Sequence, residues 1–169
     1  SANNAVLALV RSTGLTRSEF VARMNAKAAE LGYSTMHFAD PTGLNPENVA
    51  SANDVAKMAG YALHTYQPIR YVTTRPSYTF TTINTQQVHT ISLYHSHPVT
   101  QSALPLTGLT ITGGKTGYLD EALWTYALRV KNTQGAQVVT VVLGSPTYTQ
   151  RINDEKALIE WAFGHHVWK

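Results

Sequence analysis

The sequence predicts a domain of the α+β class, an antiparallel sheet flanked by helices. Three features lead to it. Before residue 66 apolar residues recur at helical spacing in three separate stretches. Three β-branched segments, at 109–118, 122–131 and 136–145, then follow one another with short polar connections, and a last helical pattern occupies 148–164. Strands so close in sequence form an antiparallel meander, because a parallel pair needs a crossover of a dozen or more residues. With 169 residues and 43% of them hydrophobic, the chain can bury one core. No repeat, low-complexity tract or linker divides it, so residues 1–169 read as a single domain.

Asn3 to Ser12 puts Val6, Leu7, Leu9 and Val10 on a broad apolar face, and Gly14 ends that helix. Thr16 opens a second one. Glu19 completes a capping box with it, Phe20, Met24, Ala28 and Leu31 make one stripe, and Gly32 stops it. Asp40-Pro41-Thr42-Gly43 is a turn sequence, and the polar stretch through Asn48 reads as an irregular loop. Ser51 caps a third helix with Asp54 at its N3 position, and Val55, Met58, Ala59 and Ala62 carry its apolar face to Thr65. Pro68 to Thr74 fits a short helical turn. Ser77 to Ile83 alternates aromatic or aliphatic residues with threonine, a strand signal, and a weaker strand at Val88–Leu93 would form a small hairpin with it, apart from the main sheet. The final helix is expected to pack Ile152, Leu158, Ile159, Ala162 and Phe163 on the sheet. Five of the six residues of Val138–Leu143 are aliphatic, the pattern of an interior strand, so this segment is expected to need a partner on each side.

Charge narrows the range of functions. Only 14% of residues are charged and the net charge of +3 is spread without a basic run, which gives no footprint for nucleic acid. Cysteine is absent, so disulfides and thiolate metal sites are excluded. No apolar run is long enough to span a bilayer, and no signal peptide is present.

The chemistry concentrates in Ile111-Thr112-Gly113-Gly114-Lys115-Thr116-Gly117-Tyr118. Glycines on a strand edge let a ligand approach the backbone, Lys115 supplies a fixed positive charge, and Thr116 supplies a hydroxyl beside it. That set suits a carboxylate lying along the strand. Taken alone, the run could equally be a glycine-rich hairpin with an exposed lysine. A second polar triplet, Ser1-Ala2-Asn3, runs straight into the first helix and by itself reads as a helix cap.

In this order and spacing, Ser-x-Asn and Lys-Thr-Gly resemble two of the three motifs of the penicillin-recognising serine acyltransferases. Phe38-Ala39-Asp40-Pro41-Thr42-Gly43-Leu44, Ser51-Ala52-Asn53-Asp54, Asp120-Glu121-Ala122 and the Asn153-Asp154-Glu155-Lys156 segment with Trp161 extend the likeness over essentially the whole chain. It resembles the D-alanyl-D-alanine carboxypeptidases, the low-molecular-mass penicillin-binding proteins. The resemblance implies a serine β-lactamase-like fold with helices on both faces of the sheet, no cofactor, an extracytoplasmic setting, and a peptidoglycan stem peptide or β-lactam as ligand. It implies that Lys115 and Thr116 receive the terminal D-alanine carboxylate and that Gly117 admits the substrate backbone. The Tyr118 N–H would serve as an oxyanion donor, Ser1 would relay a proton to the leaving amine, and Asn3 would orient the substrate amide.

The family's Ser-x-x-Lys nucleophile motif does not occur. The residues three before the lysines are Met24, Asp54, Thr112, Leu128, Asn153 and His166. In the family that motif precedes Ser-x-Asn, so the chain is expected to be the C-terminal part of a catalytic domain, partnered by an N-terminal part that also pairs with 138–143. By itself it is expected to be inactive, and a non-catalytic peptide binder is the alternative. Leu119 and Ala122-Leu123 depart from the family pattern, which leaves the pocket rim and peptide preference open. Two other classes fit less well. A phosphate-binding loop needs glycine where Leu109 stands, Gly108 missing by one. A metal hydrolase built on His95 and His97, with His89 or the His165-His166 pair, matches no zinc spacing.

Overall fold

The computed structural model describes residues 1–92, 104, 106–166 and 168. Four helices come first: α1 (Asn3–Ser12), α2 (Arg17–Glu30), α3 (Ala52–Thr65) and the short α4 (Gln67–Val72). The hairpin strands β1 (Ser77–Thr81) and β2 (Val88–Ser92) follow, then β3 (Leu109–Leu119), β4 (Leu123–Asn132) and β5 (Gln137–Ser145), and α5 (Tyr148–His165) closes the order. The expected Leu93 of the second hairpin strand lies outside the described residues.

The caps act as their sequences predict. Thr16 and Glu19 form a reciprocal capping box on α2, and the Ser51 side chain accepts from the Asp54 N–H at the start of α3. At α1 the cap role that Ser1-Ala2-Asn3 suggests when taken alone is not filled. The N-cap is Ala2 and no side chain caps the helix, so neither Ser1 nor Asn3 is consumed by that role.

β3, β4 and β5 form an antiparallel sheet in that order, and β1 and β2 pair separately. Helices cover both faces. Side chains of Tyr126, Leu128 and Val130 meet Ile111, Leu104 and Ile159 of α5 in the main core, with Ile152 and Phe163 against it. The opposite face is under α3, where Gly60 approaches Val139 and Leu63 lies over Gly113. β5 is thus apolar and covered front and back, and among the described residues no strand occupies its outer edge.

One expectation about α5 is overturned. Its buried stripe is Arg151, Glu155 and Ile159, at four-residue spacing, whereas Leu158 is 39% exposed. The stripe is set by which helix face the sheet meets, and two charged residues fall on it.

The loop after α2 is as well determined as a helix. Asp40 is 1% exposed. Its carboxylate accepts from the N–H groups of Thr42 (3.1 Å), Gly43 (3.0 Å) and Asn45 (3.3 Å), from the Thr42 hydroxyl and from the Asn48 amide (2.6 Å). The Arg17 guanidinium lies 3.2 Å away. Asn48 in turn accepts from the N–H of Ala39 and of Asp40. A segment that reads as irregular is therefore organised around one buried charge. Burial would raise the Asp40 pKa, but the hydrogen bonds from Thr42, Asn48 and the backbone outweigh it and hold the carboxyl well below its usual range.

Candidate active-site cleft

The face on which Lys115 stands is decided by a single bulge. Ile111 pairs with Val130 and Gly113 with Arg129, which leaves Thr112 unpaired as an extra residue. A one-residue insertion reverses the in–out alternation of everything after it. Ile111 and Gly114 consequently share the α5 side, where a Cβ on Gly114 would come within 2.9 Å of Leu128. Gly113 lies instead against Leu63 of α3, and Lys115 follows it onto that face. Arg129 pins the bulge: its Nε donates to the Thr112 hydroxyl at 2.9 Å and its Nη2 to the Thr112 carbonyl at 3.3 Å. Gly113 has φ 153°, a conformation few other residues adopt.

Along this strand lies a cleft of about 880 Å³, and it brings together all six site residues expected from the sequence. Ser1 and Asn3 line it from the α1 entrance, and Lys115, Thr116, Gly117 and Tyr118 from β3. Leu44, Asn45 and Asn48 of the Asp40 loop and Met58 of α3 form another wall. More than a hundred residues of chain separate the two motifs in sequence, and the packing of the helical segment on the sheet brings them to one cleft.

Each site residue has a distinct local state. Lys115 donates from Nζ to the carbonyl of Thr116 and forms no ion pair among the described residues. Burial, and then the Arg151 guanidinium, pulls its pKa below the usual lysine value. The Thr116 hydroxyl is buried and has no hydrogen-bond partner among the described residues. A cation and an unsatisfied hydroxyl that line one cleft suit a carboxylate ligand. Tyr118 is exposed, donates from its hydroxyl to Asp120 at 2.8 Å, and packs its ring 4.6 Å from Trp124. A Cβ at Gly117 would stand 2.6 Å from the Thr125 hydroxyl, so any larger residue there would force the Thr125 side chain to move.

Sequence reasoning missed Arg151. It is 2% exposed, lines the same cleft, and stands with its guanidinium 4.8 Å from the Tyr148 ring centre, 5.2 Å from Trp124 and 5.3 Å from Tyr126. Three aromatic faces surround the cation, and its Nη1 donates to the Thr125 carbonyl at 3.4 Å. The available signal was an arginine in register with Glu155 and Ile159 on one helix. The histidine alternative gains nothing: among the described residues no three His, Asp or Glu side chains converge, and His95 and His97 lie outside them.

Glu155 sits one turn beyond Arg151, fully buried, and one of its oxygens accepts from the Thr140 hydroxyl of β5. Burial pushes its carboxyl up to about 7, with Thr140 and Arg151 only partly offsetting this. A carboxyl whose folded pKa lies above its unfolded value binds more protons in the native state. Its effect on stability is therefore neutral below the unfolded value and increasingly unfavourable as pH rises to the folded one. Between pH 4.5 and about 7 the protein is expected to lose on the order of 3 kcal/mol relative to Glu155→Gln. Urea unfolding of both proteins across that window checks this, and parallel pH profiles would refute it.

Comparison with known proteins gives the chain a family and a fold. The profile of the D-alanyl-D-alanine carboxypeptidase family matches residues 1–147. The carboxypeptidase DacF of Bacillus subtilis is 29% identical over 175 aligned residues, covering 98% of this chain and 40% of the relative. DacA of Haemophilus influenzae is 24% identical over 166 residues, covering 98% of this chain and 39% of the relative. The chain thus spans about two fifths of the length of these relatives. Among solved structures, the Streptomyces K15 DD-transpeptidase superposes with a TM-score of 0.73 at 26% identity, over 86% of this chain and 54% of that one. A penicillin-binding protein homologue from Mycobacterium tuberculosis superposes with a TM-score of 0.76 at 25% identity, over 99% of this chain and 62% of that one. The family match takes in both motif segments that the fold draws together across the cleft as well as the loop that walls it, and this chain belongs to the D-alanyl-D-alanine carboxypeptidase family.

Proposed function

We propose that this chain forms the substrate-carboxylate side of a serine D-Ala-D-Ala carboxypeptidase that cleaves peptidoglycan stem peptides through an acyl-enzyme, outside the cytoplasm. The observation that carries the proposal is the convergence of Ser1 and Asn3 with Lys115, Thr116, Gly117 and Tyr118 on one cleft. The terminal carboxylate docks on Lys115 and the unsatisfied Thr116 hydroxyl, in the field of Arg151. The Tyr118 N–H donates to the oxyanion of the tetrahedral intermediate. Asn3 orients the substrate amide, and Ser1 passes a proton to the departing D-alanine. The nucleophile is the serine of a Ser-x-x-Lys segment outside these residues, and the same segment's flanking strand takes the outer edge of β5.

Penicillin labelling tests the proposal. These 169 residues alone are expected to form no acyl adduct by mass spectrometry, because no serine here is backed by a lysine three positions on. Supplied with the N-terminal segment, the protein is expected to label stoichiometrically. An adduct on the chain alone would identify a different nucleophile, and no adduct in the complete domain would leave a non-catalytic peptide binder.

A further inference from the structure

Among the described residues the hairpin of β1 and β2 lines no part of the cleft and joins no strand of the main sheet. Among the described residues its strands pair with each other alone, from Ser77↔Ser92 to Thr81↔Val88, and every residue of β1 is exposed. An isolated two-stranded hairpin is marginal in water, so an exposed one that carries aromatic residues calls for a partner. Its tip is nevertheless braced: the Gln87 N–H donates to the Thr82 hydroxyl at 3.1 Å, and the Gln86 amide to the Ile83 carbonyl at 2.8 Å.

One face of this ribbon is a row of rings. Tyr78 and Phe80 are two residues apart and so point the same way, and His89 is the register partner of Phe80. The Tyr78 and Phe80 ring centres are 6.3 Å apart with planes inclined by 19°, and those of Phe80 and His89 are 5.6 Å apart at 23°. Tyr78 is 55% exposed and Phe80 39%. The other face carries the Thr79 and Thr90 hydroxyls, 2.7 Å apart. From Pro76 to Gly114 there is not one Asp, Glu, Lys or Arg.

A flat array of rings with amides at the hairpin tip and hydroxyls on the opposite face, carrying no Asp, Glu, Lys or Arg, is matched to an uncharged ligand that has an apolar face and polar edges. The C–H face of a pyranose ring is such a group. An anionic lipid surface or a phosphorylated partner would call for Lys or Arg here, and a cationic one for Asp or Glu. We propose that the β1–β2 hairpin is a docking platform for a neutral N-acetylhexosamine glycan strand, lying across Tyr78, Phe80 and His89. The choice of an N-acetylated sugar rests on reading the cleft as a stem-peptide site, since those peptides are borne on such strands. The platform would hold the polymer while the cleft takes the peptide.

The test uses a β-1,4-linked N-acetylglucosamine hexamer, which has no stem peptide, titrated calorimetrically into the protein. Saturable binding is expected, weakened about tenfold by Tyr78→Ala and by Phe80→Ala and unchanged by Thr81→Ala, which alters the other face. Lys115→Ala should leave hexamer binding intact, so failure of the platform and failure of the cleft reading are separable. Absence of hexamer binding by folded protein, or equal binding by all the variants, overturns the proposal. So does self-association that Phe80→Ala abolishes in sedimentation, which gives the face to a second copy. Retention on uncharged phosphatidylcholine vesicles that Tyr78→Ala abolishes would give it to a membrane and overturn the proposal equally.

Discussion

Lys115→Ala in the complete enzyme is expected to lower kcat/KM for D-Ala-D-Ala peptides by about 10²–10³-fold while shifting the melting temperature by no more than about 2 °C. The activity loss follows from geometry. Lys115 lines the cleft together with the unsatisfied Thr116 hydroxyl and the Arg151 guanidinium, and a charge-assisted bond to a carboxylate is among the stronger polar contacts available. The small stability change has an independent cause. Burial and Arg151 both disfavour the charged ammonium, and its one described hydrogen bond is to the carbonyl of the next residue, so the fold gains little from holding it there. Steady-state kinetics and a thermal melt on the same preparation check both halves. A variant that melts much lower but turns over normally would make Lys115 structural.

Asp40→Ala is expected to destabilise the protein by about 3–5 kcal/mol, because it leaves the Asn48 amide, the Thr42 hydroxyl and three backbone N–H groups without their acceptor in a closed loop. Arg17 alone cannot account for such a loss, since its side chain is largely exposed. Asp40→Asn keeps one acceptor oxygen and should cost less. Denaturant unfolding at neutral pH measures both, and an alanine variant within about 1 kcal/mol of the parent would refute the assignment. The loop forms a wall of the cleft, so penicillin reactivity of the complete domain should fall with stability. The pH signs of the two buried acids are opposite. Asp40, with a depressed pKa, contributes stability that is fully present above its unfolded value of 3.8 and is lost as pH falls further. Glu155 costs stability as pH rises from 4.5 towards about 7. The two together favour a stability maximum at about pH 4.

Helix ends and strand positions were legible in the sequence wherever the signal is local. Thr16 with Glu19, Ser51 with Asp54, and the glycines after α1 and α2 act through hydrogen bonds and φ angles a few residues away. The meander of β3, β4 and β5 was legible because short polar connections allow no other pairing. Lys115, Thr116 and Gly117 could be expected on one cleft with Ser1 and Asn3 only because the two motifs occur together in order, since the glycine-rich run taken alone reads equally as a hairpin. What the sequence left open depended on contacts between distant residues. The bulge at Thr112, which turns Lys115 towards α3, is fixed by Arg129 on the neighbouring strand. Asp40 reads as a turn residue until Asn48 and Arg17 close around it. On α5 the helical period admits several apolar stripes, and the sheet chose the one through Arg151, Glu155 and Ile159 that leaves Leu158 outside. Local propensity determined the elements of this protein and the chemistry they carry. Tertiary packing decided the direction in which that chemistry faces and which buried charges support it, because facing and burial are properties of pairs of elements and not of any one of them.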